Sequence, residues 1–162
     1  MMLTLALSHD GPPLDLDVAL PAGEIVAVVG PSGSGKTSLL RAVAGLIRPR
    51  SGRIALGEDA WLDTARGMSK PTRERPIGYV SQHYGLFPHL SALANVACSL
   101  THLPPGARAE RARACLALAH VAGLDDRLPR ELSGGQQQRV AMARARSARA
   151  PGGRCGSEHA TF

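Results

Sequence analysis

The sequence predicts an α/β fold, and three observations predict it. Glu24-Ile25-Val26-Ala27-Val28-Val29 is a short, β-branched, continuously apolar run, which suits a strand covered on both faces, as in a parallel sheet. A glycine-rich turn follows it. Beyond the turn Leu39, Leu40, Val43 and Leu46 recur at helical spacing, and Pro49 closes the segment. Strand, glycine loop and helix make the first half of a βα unit.

The bulk numbers fit such a fold. A chain of 162 residues buries roughly 70% of its unfolded surface in one domain. Hydrophobic residues make up 44% and charged residues 20%, ordinary for a soluble globular protein. Aromatics are only 3%, so Leu, Val, Ile and Ala must build the core. No apolar run reaches the roughly 18 residues of a membrane span. Met1-Met2-Leu3-Thr4-Leu5 lacks the basic start of a secretion leader, which points to the cytoplasm. Cys98, Cys115 and Cys155 form neither a CxxC metal pair nor an even disulfide set. The first two are expected as small core residues.

The net charge of +6 raises nucleic acid as a partner. Its placement argues against one. No acidic residue lies between Glu131 and Glu158, whereas Arg139, Arg144, Arg146, Arg149 and Arg154 all do. No nucleic-acid partner is expected.

Along the rest of the chain, Leu14, Leu16, Val18 and Leu20 alternate with polar or small residues, the pattern of a half-buried strand, and Pro21-Ala22-Gly23 is a turn. Residues 53–56 and 77–80 read as short strands, with a polar loop over 59–76. Helices are expected over 91–100 and 106–122, separated by Pro104-Pro105-Gly106. A connector over 124–132 contains Pro129, and Ser133 opens a last helix with Val140, Met142 and Ala143 on its early turns.

The glycine turn carries chemistry. Gly30-Pro31-Ser32-Gly33-Ser34-Gly35-Lys36-Thr37 fits G-x-x-x-x-G-K-[ST] at every fixed position. Glycines let successive N–H groups point at phosphate oxygens, and the next helix offers its unpaired amides, Ser38 included, to the same anion. Lys36 is placed to reach the β- and γ-phosphates and Thr37 to coordinate Mg²⁺. Strand before and helix after are the context this pattern requires, so the loop is read as a site for a nucleoside triphosphate.

A second motif selects the family. In Leu132-Ser133-Gly134-Gly135-Gln136-Gln137-Gln138-Arg139, Ser133 and Gln136 have capping-box spacing. Gly134 and Gly135 each cost about 1 kcal/mol against Ala in a helix, a cost that makes sense where something must approach the backbone closely. The octet resembles the signature motif of ABC-transporter ATPases. The same element is left unexplained by a soluble P-loop kinase or GTPase. Ile77-Gly78-Tyr79-Val80-Ser81-Gln82 resembles that family's strand ending in the Q-loop glutamine, and Leu86-Phe87-Pro88-His89-Leu90 resembles the family's next segment.

The resemblance covers roughly residues 1–147. It implies a P-loop NTPase (ABC ATPase) core with an N-terminal antiparallel β part and a helical subdomain at about 88–132, incomplete at the C-terminus. It implies ATP and Mg²⁺ as cofactors, with Gln82 as a catalytic Mg²⁺ and water ligand, and Leu132 to Gln136 facing the ATP of a second ATP-binding subunit in a homodimer. Transmembrane permease subunits and, indirectly, a periplasmic substrate-binding protein are the other implied partners, at the cytoplasmic face of the inner (plasma) membrane. Residues 59–67 and 82–88 look most like molybdate-importer ATPases; sulfate, polyamine and sugar importers use similar subunits. Upstream, where the family stacks an aromatic ring on adenine, this chain offers only His9, expected as an ordinary surface residue.

The likeness stops after Arg146. The family continues into an apolar strand ending in Asp-Glu, which carries the Walker B aspartate and the catalytic glutamate. Residues 147–162 contain neither an apolar run nor an adjacent acidic pair. Their Ala, Arg, Gly and Pro content, with Arg far outnumbering Lys overall, leads to the expectation of a frameshifted or disrupted reading frame and a disordered tail over 148–162. On that expectation the chain is a nucleotide-binding piece with no useful turnover.

Overall fold

In the computed structural model of the chain, residues 1–148 are described except Pro12 and Ala22. They form two compact units that divide between Ile77 and Gly78. The expected tail over 148–162 lies, apart from Ala148, outside the described residues, as does Cys155.

The first unit is a sheet with one helix packed on it. Strands β1 (Met2–Asp10), β2 (Pro13–Pro21), β3 (Ser51–Leu56), β4 (Asp59–Asp63) and β5 (Met68–Ser69) lie in the order β2-β1-β3-β4-β5. Every neighbouring pair is antiparallel. β2 alternates half-buried and exposed residues, as its period-2 pattern predicts. β1 has no counterpart among the predicted elements, yet it shows the same signal: Leu3, Leu5 and Leu7 are each at most 3% exposed. Helix α1 (Lys36–Ala44) ends at Gly45 in the left-handed region. It buries Leu39, Ala42 and Val43 in a core shared with Ile54, Trp61 and Leu62.

Three expectations about strands fail. The run from Glu24 to Val29 is not a strand. Ile25 is fully exposed and Val29 nearly so. β-branched residues favour extended backbone, but a strand exists only where a neighbour takes its N–H and C=O groups, and no described segment pairs here. Ile77 to Val80 is likewise outside any strand. The predicted loop over 59–76 in fact contains β4 and β5. Trp61 and Leu62 are adjacent in β4 and both buried, so that strand is covered on both faces and shows no alternation. Asp59 anchors it by accepting the Trp61 indole N–H at 2.9 Å and the Lys70 ammonium at 2.7 Å. The bonds from Lys70 and then Trp61 hold its carboxyl below the ordinary carboxylate range.

β1 and β3 approach unusually closely. Gly52 sits opposite Leu7 with φ 137°, and a Cβ there would lie 2.1 Å from the Ala6 carbonyl oxygen. Only glycine fits.

The second unit is helical. Helices α2 (Ala92–Ala97), α3 (Pro105–Leu118) and α4 (Gly134–Ser147) enclose Val96, Leu100, Ala112, Leu116, Val121 and Val140. Pro104-Pro105-Gly106 is not only a break: Pro105 is the first residue of α3, where its missing N–H costs nothing. Leu93 and Ala92 donate backbone bonds to Asp125 and Arg127, so the connector is tied to the start of α2. Val140 and Ala143 of α4 are buried, while Met142 is 44% exposed. Cys115 is buried, but Cys98 is exposed at the end of α2, its thiol donating to the Asn95 carbonyl. The expectation of a core Cys98 is therefore wrong. No described helix is long and apolar enough to cross a membrane.

Replacing Trp61 by Ala should destabilise the chain by about 3–5 kcal/mol, through lost burial and the cavity left behind. Urea denaturation followed by circular dichroism measures it.

Candidate functional site

The loop from Gly30 to Gly35 is shaped by its glycines. Gly33 and Gly35 have φ 83° and 84°, conformations that a side chain would strain. A Cβ on Gly30 would lie 2.8 Å from the Ser34 hydroxyl, and one on Gly35 would press the Pro13 carbonyl at 3.4 Å. Pro31 O accepts from Ser34 N, and Gly35 O accepts from Leu39 N, which starts α1. Lys36 folds back over this turn. Its ammonium donates to Gly30 O at 2.8 Å, Pro31 O at 2.7 Å and Ser34 Oγ at 3.4 Å.

Gly30 to Ser38 therefore stand together in one turn of backbone. Pro31, Ser32, Gly33 and Thr37 are exposed, Ser34, Lys36 and Ser38 half-buried. The first-turn amides of α1 have no intrahelical acceptor, and no acidic side chain lies in that turn to compete for them. Bare amides, a lysine and an exposed hydroxyl suit a polyphosphate with its magnesium ion.

The far end of α1 is braced by a residue that no motif announces. Arg75 is 5% exposed. Its guanidinium donates to Ala42 O at 2.8 Å, Val43 O at 2.7 Å, Lys70 O at 3.0 Å and Trp61 O at 3.4 Å. It takes up C-terminal carbonyls of α1, where a cation is favoured by the helix dipole, and ties them to β4 and to Lys70. Burial pushes its pKa down. Gly45 leaves room for it: a Cβ there would lie 2.8 Å from the guanidinium carbon.

In the second unit Ser133 opens α4 through the expected capping box. Ser133 Oγ accepts from Gln136 N at 3.3 Å, and Gln136 Oε1 accepts from Ser133 N at 2.9 Å. Leu132 is buried behind the cap, while Ser133, Gly134 and Gly135 are exposed. Apart from the adjoining residues and the helix's own backbone, no atom lies within 4 Å of a Cβ built on either glycine, so the helix start is bare. Gln137 holds the approach from below, its amide donating to Pro129 O and Leu132 O. Gln82 is exposed at the start of a turn over 82–85. His9 is half-buried near the end of β1, opposite Leu14. Among the described residues no three His, Cys, Asp or Glu side chains group as a metal site.

A family model described as ABC transporter matches residues 14–151. The chain belongs to the ABC transporter family. It is 48% identical over 135 residues to the sulfate/thiosulfate import ATP-binding protein CysA of Synechococcus elongatus, covering 81% of the chain and 37% of that protein. It is 44% identical over 132 residues to the molybdenum import ATP-binding protein ModC of Aromatoleum aromaticum, covering 82% and 35%. The chain thus spans well under half the length of these relatives. Among solved structures, a dimeric bacterial ABC transporter cassette matches with a TM-score of 0.77 and 31% identity, over 93% of this chain and 71% of that one. A post-hydrolysis state of an ATP-binding cassette bound to ADP and Pi matches equally well. The fold is therefore that of the ABC ATPase, and the antiparallel sheet is the expected N-terminal β part.

Two substitutions probe how the two helices are held. Gly45→Ala places a side chain in left-handed backbone, costing roughly 1–2 kcal/mol, and collides with Arg75 besides. Ser133→Ala removes one cap and should cost about 1 kcal/mol. Thermal denaturation of the two variants beside the parent checks both.

Proposed function

We infer that this chain is the nucleotide-binding part of an importer ATPase, which couples ATP binding and hydrolysis to movement of an oxyanion across a membrane. The observation that carries this reading is the Gly30–Ser38 stretch, where left-handed glycines, the uncapped start of α1 and Lys36 folded back over the loop stand together. Gly30, Pro31, Ser32, Gly33, Ser34, Gly35, Lys36 and Ser38 would hold the phosphates. Thr37 and Gln82 would hold Mg²⁺, which when bound neutralises phosphate charge. Leu132, Ser133, Gly134, Gly135 and Gln136 would face the ATP of a second copy, a reading supported by the dimeric state of the cassette that the fold matches.

The partners in this reading are a second ATP-binding subunit, transmembrane permease subunits and, through them, a periplasmic substrate-binding protein. Residues from about 88 to 132 would form the helical subdomain. The chain's place is at the cytoplasmic face of the inner membrane, as a peripheral subunit. Sulfate and molybdate are both supported as cargo, since relatives named for either are similarly close. The narrower molybdate reading rests only on residues 59–67 and 82–88.

A second reading, nucleotide binding without turnover, is favoured by one observation. Residues 147–162, where the resemblance implies a strand ending in Asp-Glu, hold no adjacent acidic pair, and general-base help alone is typically worth 10²–10⁴ in rate.

Mg–ATP affinity and turnover on one preparation test both readings. Lys36→Ala should weaken binding at least about tenfold, a loss of roughly 1.4 kcal/mol, while leaving the circular dichroism spectrum unchanged. A Lys36→Ala chain that binds Mg–ATP as tightly as its parent would sink the nucleotide reading. Turnover above about 0.1 s⁻¹, on the scale of ordinary enzymes, would remove the non-catalytic one.

A further inference from the structure

Around Gln82 the second unit spends an unusual amount of structure on a turn that is itself exposed. Tyr84 has φ 59° and Gly85 φ 57°, two left-handed residues in succession. For a bulky residue such as Tyr that conformation is strained and persists only where its surroundings enforce it. The enforcing group is on α4. Arg144 donates from Nη2 to Tyr84 O at 3.1 Å and from Nη1 to Asn95 Oδ1 at 3.5 Å, and its guanidinium carbon lies 5.5 Å from the Phe87 ring centroid. This is the planar, stacked, forked role that Arg fills and Lys does not.

Asn95 completes the grip. It is fully buried. Its Oδ1 accepts from Phe87 N at 2.8 Å, and its Nδ2 donates to Phe87 O, Leu90 O and Ser91 O. On the other side of Gln82, Gly78 runs so close to α4 that a Cβ there would lie 2.6 Å from Ala145 O. Consecutive residues of α4, Arg144 and Ala145, therefore hold the chain on both flanks of Gln82, at Tyr84 and at Gly78. The same helix begins at the bare Ser133-Gly134-Gly135 cap.

We propose that Arg144 is a positioning residue for Gln82: it fixes the 82–87 turn to α4, so that the helix carrying the Ser133 cap also sets where Gln82 stands. This deepens the reading of Gln82 as a Mg²⁺ and water ligand and rests on it for its functional meaning. The grip itself stands on geometry alone.

The test uses Arg144→Lys, which keeps the charge but loses the fork and the stack. Phe87→Leu, at an exposed ring, is the milder partner and decides the matter should the first fail to fold. Amide hydrogen exchange on the full chain reads the grip. Backbone amides over 82–90 should exchange at least about tenfold faster in Arg144→Lys and about threefold faster in Phe87→Leu, with α3 amides unchanged. Nuclear magnetic resonance of the Gln82 side-chain amide reads the consequence. Saturating Mg–ATP should shift that resonance in the parent and leave it unmoved in Arg144→Lys, each chain being held at a concentration that saturates it. Unchanged exchange over 82–90, or an equal rise in α3, overturns the proposal. So does a Gln82 resonance that shifts as fully in the Lys variant as in the parent. If the parent binds no Mg–ATP, the nucleotide reading falls and the exchange pattern alone decides the grip.

Discussion

Extended backbone offers N–H and C=O groups on both sides, and the sheet exists only where a neighbour takes them. That constraint sorts the β-favouring segments of this chain. β1, with Leu3, Leu5 and Leu7 inward, finds β2 on one side and β3 on the other. β4, short and flanked by Asp residues, finds β3 and β5. The segment from Glu24 to Val29 has the strongest strand composition of all and finds no neighbour among the described residues, so its valines face outward. Composition decides what a segment is able to become, and partnership decides what it becomes. The phosphate-loop candidate hangs on the far end of that unpaired segment, but its curvature is set locally by Gly33, Gly35 and the start of α1.

The legible part of the sequence is local. The glycine turn, the capping box at Ser133 and the alternation in β2 are short-range devices, each fixed by residues within a few positions. β1 carries an equally plain signal in its three alternating leucines, although no strand is predicted there. β4 cannot be read by period, because burial on both faces of Trp61 and Leu62 erases the alternation. Arg75 is invisible for a deeper reason. Its partners are backbone carbonyls up to 33 residues away, and any residue type supplies a carbonyl, so nothing in the sequence marks them. Asn95 and Arg144 are hidden in the same way. Cys98 escapes the core because α2 buries Ala92, Asn95 and Val96, and a position two past Val96 lies on the opposite side of a helix.

The two functional helices are built on one plan with different parts. α1 begins from a left-handed glycine with no side-chain cap, and α4 begins from a capping box that satisfies two of its own donors. Fewer amides are thus left free at α4, and those of Gly134 and Gly135 stand barest. Toward its C-terminal half each helix is held by an arginine. Arg75 takes two carbonyls of α1 from outside, whereas Arg144 belongs to α4 and reaches out to Tyr84. Neither needs a carboxylate partner. A guanidinium that spends its donors on backbone and amide oxygens is satisfied without an ion pair, so ionic strength has little purchase on either brace.

Gly52 shows how a missing side chain can act as an alignment mark. A one-residue slip between β1 and β3 would turn every side chain of the pair to the wrong face. It would also carry Ser51 or Arg53 into the space beside Ala6 O, where not even a methyl group fits. Misaligned pairings are thereby rejected by hard contact, before any hydrophobic preference has to discriminate among them. The register that sets the leucines of β1 beside β3 is thus guarded by an absence at position 52.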